Sequence, residues 1–465
     1  MLQNTICAVA TPQGEGGVGV VRISGDEALQ ILQRVFAPIG KVGGEEFMPK
    51  PRYMHFGNAL DAEGRILDEV LAVYMPSPHS YTGEDVVEIQ CHGGYVVTKE
   101  IIKSLLAAGA VMAEPGEFTQ RAFVNGRLNL TQAEAVIDII QAKSAEALQI
   151  SEKQLSGRLG QTVLAANDKL LDILAQIEVA VDYPEEEEDI WRQLDLENRL
   201  GEVLRTVRSL LKTADDGKMY RDGLLTAIVG PANAGKSTLL NALLCEERAI
   251  VTDIAGTTRD TVEEYFNIKG VPIRLADTAG IRETDDPVEA FGVRKSLQKM
   301  AEAGLVLLVW DITCPLDEEW RQKIAEMSGK PLLFLLNKTD LAAADEAAEF
   351  KARLAELLPQ TAVLELSAKN GGGLEELKDK IYQMAVAGKV DRNSMVGLVN
   401  DRQKSALLRA EKHLQEALAA YAAGIEGSML SVDIQGAWEA LAEITGGVTS
   451  DDIIDRVFSR FCLGK

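Results

Sequence analysis

The spacing of hydrophobic positions changes three times along the chain. In residues 1–118, short runs alternate between apolar and polar positions, as strands do, and are separated by stretches with helical spacing. The predicted strands are Ile6–Thr11, Val18–Ile23, Leu67–Met75 and Asp85–Gln90, and the predicted helices are Ala28–Val35 and Thr98–Ala108, the second ended by Gly109. We therefore expect an α+β domain over residues 1–118.

Helical spacing dominates the two segments that follow and close the chain, residues 119–218 and 385–465. Apolar residues recur three or four positions apart at Leu130, Ala133, Val136, Ile137 and Ile140. Thr131 and Glu134 have the spacing of a capping box. Further helices are predicted over Leu164–Val181, Arg402–Tyr421, Ser431–Ile444 and Asp451–Phe461. The acidic run Glu185–Asp189 has two interpretations, a metal site or a solvated loop or helix start.

Strand-like runs alternate with helices between residues 219 and 384. The predicted strands are Leu225–Gly230, Glu264–Ile268, Ile273–Asp277, Leu305–Asp311, Pro331–Asn337 and Ala362–Ser367. Such alternation is typical of a mostly parallel sheet covered by helices. Since helical segments lie on both sides of it, we predict that this α/β domain is inserted into a discontinuous helical domain.

One loop in the inserted domain has a specific chemistry. Residues Gly230 to Ser237 read G-x-x-x-x-G-K-S and stand between a predicted strand and a predicted helix. This is the P-loop pattern, in which backbone N–H groups at a helix N-terminus surround a phosphate. Lys236 adds a positive charge and Ser237 offers a hydroxyl ligand to Mg²⁺.

Composition limits the kinds of partner, metal site and cellular location expected for the chain. Its net charge of −23 over 465 residues argues against broad nucleic-acid binding, which needs Lys and Arg to neutralise phosphates. The five cysteines are far apart and form no C-x-x-C pair, which indicates neither a zinc site nor a disulfide framework. A reducing, cytoplasmic location is therefore expected. No secretory signal and no membrane-spanning run is found in the sequence.

Four more segments follow the P-loop in the order that a GTPase requires. Asp340 is expected to accept two hydrogen bonds from guanine N–H groups, which adenine lacks. The predicted nucleotide-contacting residues are Asn233, Ala234, Gly235, Lys236, Ser237, Thr238, Thr252, Asp253, Ile254, Ala255, Gly256, Thr257, Thr258, Asp277, Thr278, Ala279, Gly280, Asn337, Lys338, Asp340, Ser367, Ala368 and Lys369.

These motifs resemble those of the translation-factor-like small GTPases. Relatives that use a glutamine to orient the attacking water place it just after the D-x-x-G segment, where this chain has Ile281. Hydrolysis therefore needs another water-positioning group and another positive charge. Asn233 is expected to help bind a monovalent cation that supplies this charge.

Cys91 and His92 are adjacent and suggest a nucleophile pair at first sight. Neighbours in sequence rarely face each other, so an ordinary pair of loop residues near a strand end is the alternative. The sequence leaves both interpretations open.

The two ends of the chain add a more specific resemblance, to the MnmE (TrmE) family of tRNA uridine modification GTPases. It rests on the GTPase motifs and on the segments Ala10-Thr11-Pro12, Gly16-Gly17-Val18-Gly19, Arg22-Ile23-Ser24-Gly25, Thr82-Gly83-Glu84-Asp85, His92-Gly93-Gly94, Pro115-Gly116-Glu117-Phe118 and Phe461-Cys462-Leu463-Gly464-Lys465. The resemblance covers all three predicted regions.

The resemblance implies a folate-binding N-terminal domain that also mediates homodimerisation. The positions that match the folate site are Arg22, Glu88, Arg127 and Lys465. Some relatives have a lysine at the position of Arg127. The arginine in this chain keeps the positive charge of that lysine but arranges its hydrogen-bond donors differently. Cys462 lies near this site in the family, and its interpretation stays open between a catalytic thiol and a free buried thiol.

In the GTPase domain, the resemblance implies activation by K⁺. The matching potassium ligands are Asn233, Thr252, Ile254 and Thr257, and the matching Mg²⁺ ligands are Ser237 and Thr258. Glu289 matches the residue that positions the hydrolytic water through an intervening water.

The implied activity is addition of a carboxymethylaminomethyl or aminomethyl group to C5 of the wobble uridine of certain tRNAs. Implied partners are a MnmG-type FAD protein and tRNA, with 5,10-methylene- or 5-formyl-tetrahydrofolate as cofactor and no membrane. The alternative is a ribosome-assembly GTPase switch without modification chemistry. Such proteins share the GTPase motifs, and folate binding discriminates between the two hypotheses.

Overall fold

The computed structural model describes residues 4–12, 14–39, 47–182, 195–247, 265–275, 303–326, 331–342, 344–357, 361–386, 399–425 and 428–465. Three groups of predictions lie outside these ranges: the acidic run Glu185–Asp189, the nucleotide residues 252–258 and 277–280, and Glu289. Within the described ranges, no helix combines the length and apolar character that a membrane crossing requires.

The N-terminal domain is built on one sheet. In the described residues its strands are β1 (Ile6–Val9), β2 (Gly16–Ser24), β3 (Phe36–Pro38), β4 (His55–Leu60), β5 (Ile66–Met75), β6 (Val86–Gly93) and β7 (Val111–Met112). Its helices are α1 (Ala28–Val35) and α2 (Tyr95–Ala107). The strand order is β3-β4-β5-β6-β2-β1-β7, antiparallel except for the parallel pair β1 and β7. The predicted α+β class is confirmed, whereas β3, β4 and β7 were not predicted.

Strand register explains the core of this sheet. Val21 of β2 lies opposite Ile89 of β6, and Ile23 lies opposite Val87. All four side chains are fully buried. Because alternate residues of a strand share a face, this register directs one apolar face of the sheet toward the helices, where Ile31 of α1 completes the same core.

Helices on both sides of the inserted domain form one helical core. The first set is α3 (Glu117–Val124), α4 (Leu130–Gln141), α5 (Ala145–Leu155), α6 (Arg158–Asp182) and α7 (Leu196–Asp222). The second set is α12 (Asp401–Ala422), α13 (Ser428–Thr445) and α14 (Asp451–Phe458). Leu170 of α6, Val207 of α7, Ala410 of α12 and Leu441 of α13 are fully buried in a shared cluster. The predicted discontinuous helical domain is therefore assembled from distant segments.

The inserted domain is an α/β layer structure. Its described strands are β8 (Leu224–Val229), β9 (Tyr265–Ile268), β10 (Val271–Leu275), β11 (Leu305–Asp311), β12 (Leu332–Asn337) and β13 (Ala362–Glu365). The helices are α8 (Lys236–Glu247), α9 (Glu318–Glu326), α10 (Ala344–Leu357) and α11 (Leu374–Val386), with a 3₁₀ turn at Thr339–Leu341.

The strands of this layer have the order β13-β12-β11-β8-β10-β9, and only β9 runs antiparallel to its neighbour. Every residue of β11 and β12 is buried, as expected for central strands covered on both faces. The mostly parallel sheet is confirmed, and the exact domain boundaries stay predictions.

The predicted capping box at Thr131 and Glu134 is wrong. Asn129 caps α4 instead, its side chain accepting from the Gln132 backbone N–H while the Gln132 side chain accepts from the Asn129 backbone N–H. Asn at the cap position is as good an acceptor as Thr, and it lies one residue before the helix. Glu134 is thereby left for another role.

Glu134 pairs with Arg402 in α12, the first described helix after the inserted domain. Arg402, in the first turn of α12, donates to both carboxylate oxygens of Glu134 at 2.9 and 2.8 Å. Arg402 also donates to the backbone carbonyls of Glu443 and Ile444. This bidentate pair joins α4 to the ends of α12 and α13 with little solvent contact, since Glu134 is 6% exposed.

We predict that Glu134→Ala lowers the free energy of unfolding of the helical domain by about 3 kcal/mol, because it leaves Arg402 partly buried without its carboxylate. Urea denaturation followed by circular dichroism measures the change. Lys169→Ala is the control, since the Lys169–Glu202 pair is exposed and its loss should matter little. Equal midpoints for wild type and Glu134→Ala would show that the pair is not stabilising.

Candidate nucleotide and ligand sites

The P-loop connects β8 to α8 at the carboxyl edge of the parallel sheet. Gly230 has φ 150° and Gly235 has φ 94°, conformations that favour glycine. A side chain at Gly230 would collide with the Val309 carbonyl of β11, and one at Gly235 would collide with the Asn337 side chain. Close backbone contact with two neighbouring strands therefore fixes the loop in front of the α8 N-terminus.

Lys236 is directed back over this loop. Its Nζ donates to the carbonyl oxygens of Gly230 at 3.0 Å and Pro231 at 2.7 Å. The ammonium group is thus held above the turn from which the first N–H groups of α8 point, a place suited to a phosphate. Ser237 and Thr238 follow in the first turn of α8, as the P-loop pattern requires.

Asn337 ties the P-loop to two other loops of the site. It is 1% exposed at the end of β12. Its amide nitrogen donates to the Ala234 carbonyl at 2.8 Å, and its amide oxygen accepts from the Ala368 N–H at 3.0 Å. One buried side chain therefore sets the spacing between the phosphate loop and the loop after β13, a role that its position in the motif alone did not indicate.

Asp340 lies on the open side of the same loop cluster. The Ser367 hydroxyl donates to one of its carboxylate oxygens at 2.6 Å, while the residue as a whole is exposed. A carboxylate oriented in this way can accept from two adjacent N–H groups of a base. Ser367 thus fixes the position of the group that we predict to read guanine.

Lys338 lies beside Asp340 and pairs with Asp311 at the end of β11. The Lys338 Nζ lies 2.6 Å from an Asp311 oxygen. Although burial raises the pKa of Asp311, hydrogen bonds from Lys338 and Thr313 dominate and hold that pKa below its usual value. Asp311, which sequence reasoning missed, therefore stays ionised and orients Lys338.

The structure brings the described nucleotide-motif residues together at the ends of β8, β12 and β13. These residues are Asn233, Ala234, Gly235, Lys236, Ser237, Thr238, Asn337, Lys338, Asp340, Ser367, Ala368 and Lys369. Their individual roles as ligands stay predictions.

A second polar cluster lies at the end of the N-terminal sheet. Arg121 is 2% exposed and binds Glu117 at 2.8 Å and Glu84 at 3.1 Å. Ser24 donates to the same oxygen of Glu84, Oε2, and shares a 2.7 Å hydrogen bond with Thr82. The R-I-S-G, T-G-E-D and P-G-E-F segments therefore meet around Arg121, a residue that the sequence analysis missed.

Arg22 lies at the edge of this cluster with a partly satisfied guanidinium. It faces Glu88 across β2 and β6, with Nε and Nη2 each 2.8 Å from Oε1. Its Nη1 is buried and has no hydrogen-bond partner among the described residues. Arg22 and Arg127 both contact the Tyr81 ring, with their guanidinium carbons 5.2 and 5.5 Å from the ring centre. The Tyr81 ring therefore makes cation–π contacts with two arginines.

The C-terminal residue reaches the same place. Burial first, and then the positive charge of Arg22, lower the pKa of Lys465, against the attraction of Glu88. Gly464, with φ 89°, fits against the Val9 carbonyl where a side chain would collide. Because Val9 pairs with Val21, next to Arg22, the contact of Gly464 brings Lys465 toward the Arg22–Glu88 pair. Arg127 contacts the Tyr81 ring, and Cys462 is exposed in the same C-terminal segment as Lys465. Their assignment to a folate stays a prediction.

Cys91 and His92 form no nucleophile pair. They lie in β6 and not in a loop, so their side chains point to opposite faces. Cys91 is buried, and burial raises the pKa of its thiol to about 11. His92 is exposed and its Nδ1 lies 2.7 Å from Asp68.

Fold and site together define a P-loop GTPase domain inserted into a helical domain, behind a separate N-terminal sheet domain. The model of the MnmE helical domain matches residues 130–462, and the model of the GTP-binding protein TrmE N-terminus matches residues 5–127. The chain belongs to the MnmE family of tRNA modification GTPases.

Full-length relatives agree with this assignment. The tRNA modification GTPase MnmE of Clostridioides difficile (strain 630) is 42% identical over 464 residues, covering 100% of both chains. That of Lactobacillus delbrueckii subsp. bulgaricus is 44% identical and covers 99% of this chain and 98% of its own. Aquifex aeolicus Era, a solved structure, is 31% identical over 41% of this chain and 66% of its own, with a TM-score of 0.29. A TM-score this low does not establish a shared overall fold.

We predict that Asn337→Ala weakens guanine-nucleotide binding roughly 100-fold, because the Ala234 carbonyl and the Ala368 N–H lose their buried partner at about 1–2 kcal/mol each. Titration with a fluorescent GDP measures the dissociation constant. Asn198→Ala, at an exposed position of α7, is the matched control and should bind normally. Unchanged affinity in Asn337→Ala would contradict the bridging role.

Proposed function

We propose that this chain is a K⁺-activated GTPase that acts with a flavoprotein to modify C5 of the tRNA wobble uridine, using a one-carbon unit from methylene-tetrahydrofolate. The observation that carries the proposal is the packing of Gly464 on β1 next to Arg22, which brings the cation of Lys465 toward the Arg22–Glu88 pair. A GTPase switch alone does not need a cation from the segment after α14 at that place. The added group is carboxymethylaminomethyl or aminomethyl.

The described loops support guanine-nucleotide binding. Lys236 is held over the P-loop by two carbonyls that a phosphate oxygen can replace as its partners. Asp340 is exposed and fixed by Ser367 for the guanine N–H groups. Ser237, with Thr258 from the family resemblance, would hold Mg²⁺, which neutralises charge on the phosphates.

The proposed need for K⁺ starts from the absence of a glutamine just after the D-x-x-G segment. Ile281 offers no group to orient water, so the family resemblance assigns that task to Glu289. Asn233 has φ 61° and lies exposed in the P-loop, where its side chain can reach the phosphates. Asn233, with Thr252, Ile254 and Thr257 from the resemblance, would hold the cation next to the β- and γ-phosphates.

The cluster around Arg22 has the chemistry that a folate requires. The unpaired Nη1 of Arg22 is a donor, and Glu88 is an acceptor for the N–H groups of a pterin ring. Arg127 and Lys465 are cations suited to the carboxylates of the folate tail. When bound, the folate would supply the one-carbon unit, and these side chains would orient it. Cys462 is exposed near Lys465 and accessible for chemistry there.

The remaining chemistry points to partners. The chain carries no dinucleotide fingerprint, so a MnmG-type FAD protein would supply the redox step. A net charge of −23 is poorly suited to holding a tRNA alone, and the partner would share that contact. We propose that the chain acts in the cytoplasm as a homodimer, in which the N-terminal domains pair.

We predict that the full chain binds 5-formyl-tetrahydrofolate and that Arg127→Ala and Lys465→Ala each weaken binding roughly tenfold, by about 1.4 kcal/mol, through loss of a charge-assisted hydrogen bond. Isothermal titration calorimetry measures the affinity. Arg65→Ala removes an exposed arginine of the same domain and should leave it unchanged. No binding to the wild type would favour a ribosome-assembly switch without modification chemistry.

We predict that GTP hydrolysis is roughly tenfold or more faster in KCl than in NaCl at equal ionic strength, because the family resemblance implies that Asn233 helps to hold K⁺ beside the phosphates, where it would neutralise charge in the transition state. A phosphate-release assay measures both rates. Glu289→Ala should lose hydrolysis and keep GTP affinity. Equal rates in the two salts would remove the potassium proposal, and normal turnover in Glu289→Ala would remove the assignment of that residue.

A further inference from the structure

In the helical domain, three side chains of metal-ligand type converge where α12 packs against α13. His413 and Glu416 lie nearly one turn apart on α12, and Asp433 lies on α13. Their ligand atoms all lie within 4.8 Å of one another. A histidine and two carboxylates from two helices are therefore directed toward one point.

The imidazole is held with an unsatisfied nitrogen facing the carboxylates. His413 Nδ1 is buried and has no hydrogen-bond partner among the described residues. It lies 3.7 Å from Glu416 Oε2 and 3.6 Å from Asp433 Oδ1, too far for hydrogen bonds. A buried nitrogen without a partner is costly, and a cation held between the three groups would satisfy it.

Gly436 keeps the ring in place. A Cβ at this position of α13 would lie 2.9–3.0 Å from three atoms of the His413 ring, so only glycine admits the imidazole between the helices. The other oxygen of Glu416 lies 3.7 Å from Lys412, which leaves Oε2 for the cluster. With a side chain that is 35% exposed, His413 can still be reached from solvent.

We propose that His413, Glu416 and Asp433 bind a zinc ion that joins α12 to α13. In a tetrahedral site with metal–ligand bonds of about 2.1 Å, neighbouring ligands lie about 3.4 Å apart. The observed separations of 3.6 and 3.7 Å need only a small side-chain adjustment. Imidazole nitrogen with carboxylate oxygen is a donor set that suits zinc. Three protein ligands leave one position for water.

The test is titration of the chelator-stripped full-length chain with zinc(II) against a chromophoric chelator. We expect His413→Ala and Asp433→Asn each to bind one tight zinc fewer than the wild type, or to bind it at least about tenfold more weakly. His79→Ala removes another exposed histidine and should bind like the wild type. Circular dichroism confirms that each variant is folded.

Thermal unfolding gives a second readout. Zinc should raise the Tm of the wild type and of His79→Ala, and leave that of His413→Ala unchanged, because an ion that binds only the folded state stabilises it. The proposal is overturned if the stripped wild type binds no zinc, or if His413→Ala and Asp433→Asn bind it as the wild type does. Either result would leave His413 as a helix-packing residue beside two carboxylates.

Discussion

The last residues of the chain pack against its first strand, and the architecture depends on this contact. Gly464 takes a left-handed conformation so that the backbone can meet Val9 of β1 without a side chain in between. Phe458 and Phe461 anchor the approach by packing on Leu130 of α4. The contact joins β1 to helical segments that follow the GTPase domain in sequence, so it connects two parts of the chain that the inserted domain separates.

Helix α4 contacts both the C-terminal segment and the first turn of α12. Its first turn packs on the C-terminal segment through Leu130 and Ala133, and the loop before it carries Arg127. One turn later, Glu134 holds Arg402 in the first turn of the helix that follows the GTPase domain. A single rigid helix therefore contacts both the neighbourhood of the proposed folate site and the point where the chain leaves the GTPase domain.

Features with a strong local cause could be predicted from the sequence. The P-loop follows from eight residues, and the buried strands β11 and β12 follow from continuous apolar runs that only a covered central strand tolerates. In contrast, β3 and β4 were not predicted. β3 has only three residues, and in β4 the residues His55, Gly57 and Asn58 interrupt the alternation of apolar and polar positions. Their strand conformation comes from pairing with distant neighbours.

Long-range contacts account for the errors and omissions. Glu134 has the spacing of a capping residue, yet its carboxylate pairs with an arginine 268 positions later, which no local pattern reveals. Arg121 stands outside the quoted family segments and joins two of them, through Glu84 and Glu117, only in space. The bridge made by Asn337 likewise depends on two loops far apart in sequence. The kind of each motif could be predicted from the sequence. The contacts that hold the motifs together could be identified only in the folded structure.

The most direct measurement is mass-spectrometric analysis of wobble-uridine nucleosides in tRNA from cells that lack this chain, complemented with the wild type or with a chain that ends at Gly464. We expect loss of the C5 modification in the deletion, recovery with the wild type and no recovery without Lys465. Normal modification in the deletion cells would contradict the assigned chemistry, and full recovery without Lys465 would contradict the role given to the closure of the chain.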